Sequence, residues 1–172
     1  AFGLPNVKLA LISFVFFSVT ETTTGLWSSS YLVGVKGMAA TTAARWTASF
    51  YAGITLGRLL SGFLSIKMKN SVLIRLGQLV CVFGAVLLIL PLPVTVSALG
   101  LIVGTAPIFP AMLHETPNRF GSSASGAIMG LQMALAYSGG TFGSPLFGAL
   151  ASATSLKLLP FFLLAAISIM FI

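Results

Sequence analysis

Glu21 lies near the centre of a stretch, Val7 to Val33, that holds no other acidic residue, and it is one of only two acidic residues in the chain. A carboxylate at the middle of a membrane-length segment is costly in lipid. It is kept where it faces a protein interior or a water-filled path, and there it can carry a proton or accept hydrogen bonds from a polar solute. The residues after it run Thr22-Thr23-Thr24-Gly25-Leu26-Trp27-Ser28-Ser29-Ser30-Tyr31. At about 100° per residue, a helix places Glu21, Thr24, Ser28 and Tyr31 on one side with Trp27 beside them. Phe14, Val15, Val19, Leu26 and Val33 fall on the other side. Trp27 and Tyr31 offer ring faces on which a sugar could stack, and they also suit a belt at the membrane interface. Gln132 and Tyr137 add donors and acceptors in a later segment. There they serve either a cavity or hydrogen bonds between helices.

The elements that must position these groups follow from composition. Of 172 residues, 57% are hydrophobic and 6% charged, and the mean hydropathy is +1.06. A soluble domain carries roughly a quarter charged residues, so the chain reads as an integral membrane protein. Runs of about 20 apolar residues cross the hydrocarbon core. They predict six helices at residues 7–33, 43–66, 72–90, 94–113, 123–151 and 156–172, with a tight turn at Pro91-Leu92-Pro93. The runs lack the strict alternation of a barrel strand, so an all-α bundle is expected. The chain starts at Ala1 and stops inside the apolar run Met170-Phe171-Ile172, which reads as a fragment of a longer polypeptide.

The net charge of +7 is spread over the predicted loops and makes no basic face for nucleic acid. Lys8, Lys67, Lys69, Arg75 and Arg119 fall on the side where the chain starts, here side one. Lys36, Arg45 and Lys157 fall on side two. The positive-inside rule makes side one cytoplasmic. Arg58, inside the second helix, is within snorkelling reach of side one. His114 to Arg119 reads as a side-one loop.

Gly53 with Gly57, and Gly126 with Gly130, are spaced for close helix contact. Pro107 and Pro110 interrupt the fourth span and Pro145 the fifth, as static kinks or as points of bending. One Cys, one His and two separated carboxylates give no metal site, and no phosphate loop, nucleophile elbow or dinucleotide fingerprint is present. No cofactor and no enzymatic activity are expected.

The segment Gly57-Arg58-Leu59-Leu60-Ser61-Gly62-Phe63-Leu64-Ser65-Ile66-Lys67-Met68-Lys69 resembles the loop motif of the major facilitator superfamily. Glu21…Gly25-Leu26-Trp27…Tyr31, Ala106-Pro107-Ile108-Phe109-Pro110 and Arg119-Phe120-Gly121…Ser125-Gly126…Gly130-Leu131-Gln132…Tyr137 resemble its fucose-permease-like branch and related bacterial transporters. The resemblance runs in one order over nearly the whole chain. It implies the C-terminal six-helix half of a twelve-helix secondary transporter in a bacterial cytoplasmic membrane, with the N-terminal half as partner. The cargo it implies is a small polar solute, above all a sugar, moved by alternating access and coupled to protons. The polar stripe and the resemblance together give Glu21, Thr24, Trp27, Ser28, Tyr31, Gln132 and Tyr137 as pathway candidates, and Gly57, Arg58, Gly62, Lys67, Pro107 and Pro110 as candidates for conformational roles. Ile66 and Lys69 stand where the motif has an acid and a glycine, so the acid's locking role does not carry over. An exporter of amphipathic compounds and a non-transporting membrane scaffold or sensor are the alternative readings.

Overall fold

A computed structural model describes residues 5–90 and 94–171, without the side chain of Ser97. The expected Pro91-Leu92-Pro93 turn lies outside those residues. All regular structure within them is helical: α1 (Val7–Gly34), α2 (Ala40–Lys67), α3 (Asn70–Ile89), α4 (Val94–Phe120), α5 (Ser122–Ala153), a 3-10 turn at Leu156–Leu158, and α6 (Leu159–Ile169).

Side-chain ties fix how the helices alternate. Lys36, just past the end of α1, donates from Nζ to the Leu90 carbonyl at the end of α3. Asn70, at the start of α3, donates to Glu115 near the end of α4. Gln78 in α3 donates to the carbonyl of Met170, just past α6. The end of α1 therefore meets the end of α3 and the start of α3 meets the end of α4, as the predicted loop sides require, while the end of α6 meets the middle of α3.

α1, α3 and α4 are long and apolar enough to cross a membrane. The expectation of six spans is met in full only by these three. α2 and α5 have the length, with 28 and 32 residues, but Gly, Ser, Thr and Ala dilute their apolarity. α6 is apolar but has only 11 residues. The dilution in α5 has a packing cause, because its glycines take the side chains of α1. A Cβ at Gly139 would lie 2.6 Å from the Val15 carbonyl oxygen, and one at Gly143 would lie 2.6 Å from a Val19 methyl.

The tightest seam joins α3 to α4. A Cβ at Gly84 would stand 2.7 Å from Leu101 N, and one at Gly104 would stand 2.6 Å from Cys81 N. Backbone cannot yield as a flexible side chain can, so only glycine fits at these positions. The expected glycine pairs divide. Gly53 and Gly57 do pack on α4, against Ile102 and Ala106. Gly126, Gly130 and Gly62 have nothing within 4 Å of an added Cβ, so spacing alone misassigned the second pair.

The fourth helix runs past its expected end at Leu113 to Phe120. His114 to Arg119 is therefore helical rather than a loop. Pro107, Pro110 and Pro117 all lie inside α4. Each removes one backbone donor, and neighbouring turns carry the helix through. A central core joins Phe14, Phe17, Phe50, Ile54, Ile108, Phe147, Leu159, Leu163 and Ile167 from α1, α2, α4, α5 and α6.

Candidate functional site

A cleft of about 740 Å³ opens between α1, α2, α4 and α5. Its charged groups are Glu21 and Arg58. Arg58 Nη2 donates to both carboxylate oxygens of Glu21, at 2.7 and 2.6 Å. Arg58 turns inward to make this bond, which corrects the snorkelling expectation. The partly buried carboxylate supplies the charge that the guanidinium would otherwise seek at the interface. The guanidinium also lies 4.9 Å from the centre of the Phe109 ring, a cation–π distance. Its Nε is buried without a hydrogen-bond partner.

The cleft wall also carries the hydroxyl-bearing residues Ser18, Thr22, Ser30, Thr141, Ser144 and Tyr137. Phe17, Leu26, Trp27, Phe109 and Met133 complete the wall. Trp27 is fixed on two sides. Its Nε1 donates to the Ser144 carbonyl and hydroxyl at 3.1 Å, and its ring meets Phe147 edge-on at 5.4 Å. Gly148 makes room for it, since a Cβ there would lie 2.6 Å from the indole. Tyr137 is 75% exposed and stands at the open side.

Glu21, Trp27 and Tyr137 thus share the cleft, together with Arg58. Thr24, Ser28 and Tyr31 do not line it. Thr24 donates to the Thr20 carbonyl of its own helix, and Ser28 pairs with Thr47 of α2 at 3.1 Å. Tyr31 donates to the Leu88 carbonyl of α3 at 2.9 Å. These are bonds within and between helices. A hydroxyl that bonds back to a carbonyl one turn earlier needs no water, so hydroxyl content does not mark the wet face of a helix. The cleft face of α1 is rotated by roughly a third of a turn from the expected stripe. Leu26, assigned to the apolar side, is 61% exposed and lines the cleft. Gln132 is buried, and its Oε1 accepts from Thr116 at 3.0 Å, the interhelical alternative.

Of the conformational residues, Gly57 meets Ala106 closely and Gly62 stands open. Lys67 ends α2. Pro107 and Pro110 flank Phe109 within α4, whose ring packs on Phe14 and Phe17 at 5.8 and 5.7 Å. That aromatic layer floors the cleft. Ser18, Thr141 and Ser144 were not singled out from sequence. The signal for Thr141 and Ser144 was the run Gly139 to Pro145, read there only as a helix interruption.

No protein-family model and no curated protein matches the chain.

Proposed function

We propose that the helices form a membrane-embedded bundle, one half of a secondary active transporter of the major facilitator type, moving a small polar solute through the cleft. The observation that carries this reading is the Glu21–Arg58 pair on the cleft wall. Two opposite charges held in a span-length bundle are expensive to keep. Packing alone gives no reason for them to face an open cleft ringed by hydroxyls. A membrane scaffold has no use for such a ring. An exporter of amphipathic compounds would need a wall with few hydroxyls, whereas six hydroxyl-bearing residues line this cleft.

The resemblance makes a sugar the expected solute. Trp27, fixed by Ser144 and Phe147, supplies a rigid ring, and Glu21 supplies acceptors for solute hydroxyls. Proton coupling through Glu21 belongs to the same reading, with the bacterial cytoplasmic membrane as its setting. The open side of the cleft is where the second six-helix half belongs, because one half supplies one wall.

The test is uptake by the two-half protein carrying Glu21→Gln. Saturable uptake or its pH dependence should be lost while the protein still inserts. Unchanged uptake with an unchanged pH profile would remove the pair from the mechanism.

A further inference from the structure

A second, smaller cavity lies beyond the aromatic floor, at the side-one ends of α1, α3, α4 and α5. It measures about 120 Å³, too small for a drug-sized solute and of a size for one small ion or headgroup. Arg75 of α3 and Arg119 of α4 both line it, and neither has a carboxylate within ion-pair distance among the described residues. Glu115 also borders it, with Asn70 Nδ2 at 3.4 Å from its carboxylate. The charge balance is two positive against one negative.

Two further features point the same way. Gln132 is 99% buried, being 1% exposed. Its Oε1 accepts from Thr116 at 3.0 Å, and the residue lines the cavity. The 20-residue helix α3 also begins here. Its N-cap, Lys69, gives no side-chain bond, and its first turn contributes Ser71 to the wall. The first N–H groups of a helix have no intrahelical partner and carry its positive end.

We propose that this crevice binds a phosphate group, through the forked donors of Arg75 and Arg119, the Gln132 amide and the uncapped start of α3. Every contributing group donates, and Arg with a helix N-terminus is the combination that phosphate recognition uses. The phosphate could belong to the headgroup of an anionic phospholipid or be free in the aqueous phase. The site stands apart from the solute cleft and does not depend on the transport reading.

The experiment measures thermal unfolding of the purified protein in two arms. In detergent, inorganic phosphate is titrated against chloride at constant ionic strength. In nanodiscs, phosphatidylcholine alone is compared with phosphatidylcholine plus phosphatidylglycerol. Stabilisation by inorganic phosphate assigns a free anion, and stabilisation by phosphatidylglycerol alone assigns a lipid headgroup. In either case Arg75→Gln and Arg119→Gln should weaken the effect about tenfold, the size of one lost charge-assisted bond. Lys8→Gln, at the same end but outside the crevice, should leave it intact. Both arginines are exposed, so their replacement does not disturb the core, and Arg75→Lys tests the fork while keeping the charge. No stabilisation in either arm would overturn the proposal. So would stabilisation that survives both arginine changes, or falls equally with Lys8→Gln, since that is bulk charge attraction.

Discussion

At the scale of single residues, the Glu21–Arg58 pair separates function from stability in a way that can be measured. Removing one partner leaves the other partly buried without compensation, at a cost of about 1–3 kcal/mol. Removing both, as in Glu21→Met with Arg58→Met, leaves no stranded charge, and replacing an ion pair by apolar groups is often neutral. Glu21→Gln alone should therefore lower the melting temperature, and the double variant should recover it. Uptake by the two-half protein should stay lost in both. Recovery of uptake along with stability would make the pair a structural tie.

Trp27→Ala gives a second prediction at this scale. It removes an aromatic wall and two bonds to Ser144 but no charge, so apparent solute affinity should fall about tenfold or more while pH dependence persists. Competition binding against pH checks it, and a changed pH profile at unchanged affinity would reverse the assignment. Glu21 was legible in the sequence because a carboxylate near the middle of a long stretch of apolar and hydroxyl residues is rare on energetic grounds. Its partner was legible only as a charge, since no pattern in α2 says that Arg58 turns inward. Thr24, Ser28 and Tyr31 were misread because a hydroxyl satisfied by its own helix has the same letter as one that meets water.

At the scale of helices, glycine decides which pairs touch. Gly84→Ala and Gly104→Ala push a methyl into backbone across the α3–α4 seam and should each cost about 1–3 kcal/mol. Gly126→Ala and Gly62→Ala meet nothing and should leave stability unchanged or raise it by up to about 1 kcal/mol, the helix-propensity difference. Thermal unfolding of the four variants checks the contrast, and equal effects in all four would mean that the seam is not close-packed. The extents of α1 and α3, and the start of α4, were readable from apolar length. The run of α4 to Phe120 was not, because Pro117 signals a break that the surrounding helix tolerates. The glycine partners were not readable either. Spacing marks where helices can approach but not which neighbour arrives.

At the scale of the whole molecule, the placement of helix ends fixes a topology. Lys69 and the end of α4 should lie on the cytoplasmic side, and the α1–α2 connection should lie outside. Single cysteines at Lys69 and Ala39, in a Cys81→Ala background, report this through an impermeant maleimide on intact cells. Labelling at 39 and not at 69 is expected, and the reverse pattern would invert the orientation. The 172-residue chain by itself, with one cleft wall, should insert but accumulate no solute after reconstitution. Uptake by a demonstrated monomer would end the half-transporter reading.

The ion pair also bears on how such a chain is made. Glu21 and Arg58 sit on consecutive helices, so the second charge leaves the ribosome soon after the first. A carboxylate or a guanidinium entering a bilayer centre alone costs about 2.5–3.5 kcal/mol on insertion scales. If α1 and α2 enter as a hairpin, the charges neutralise each other before α5 exists to enclose the cleft. The residues proposed to handle cargo in the mature protein would then first serve as each other's escort through the translocon.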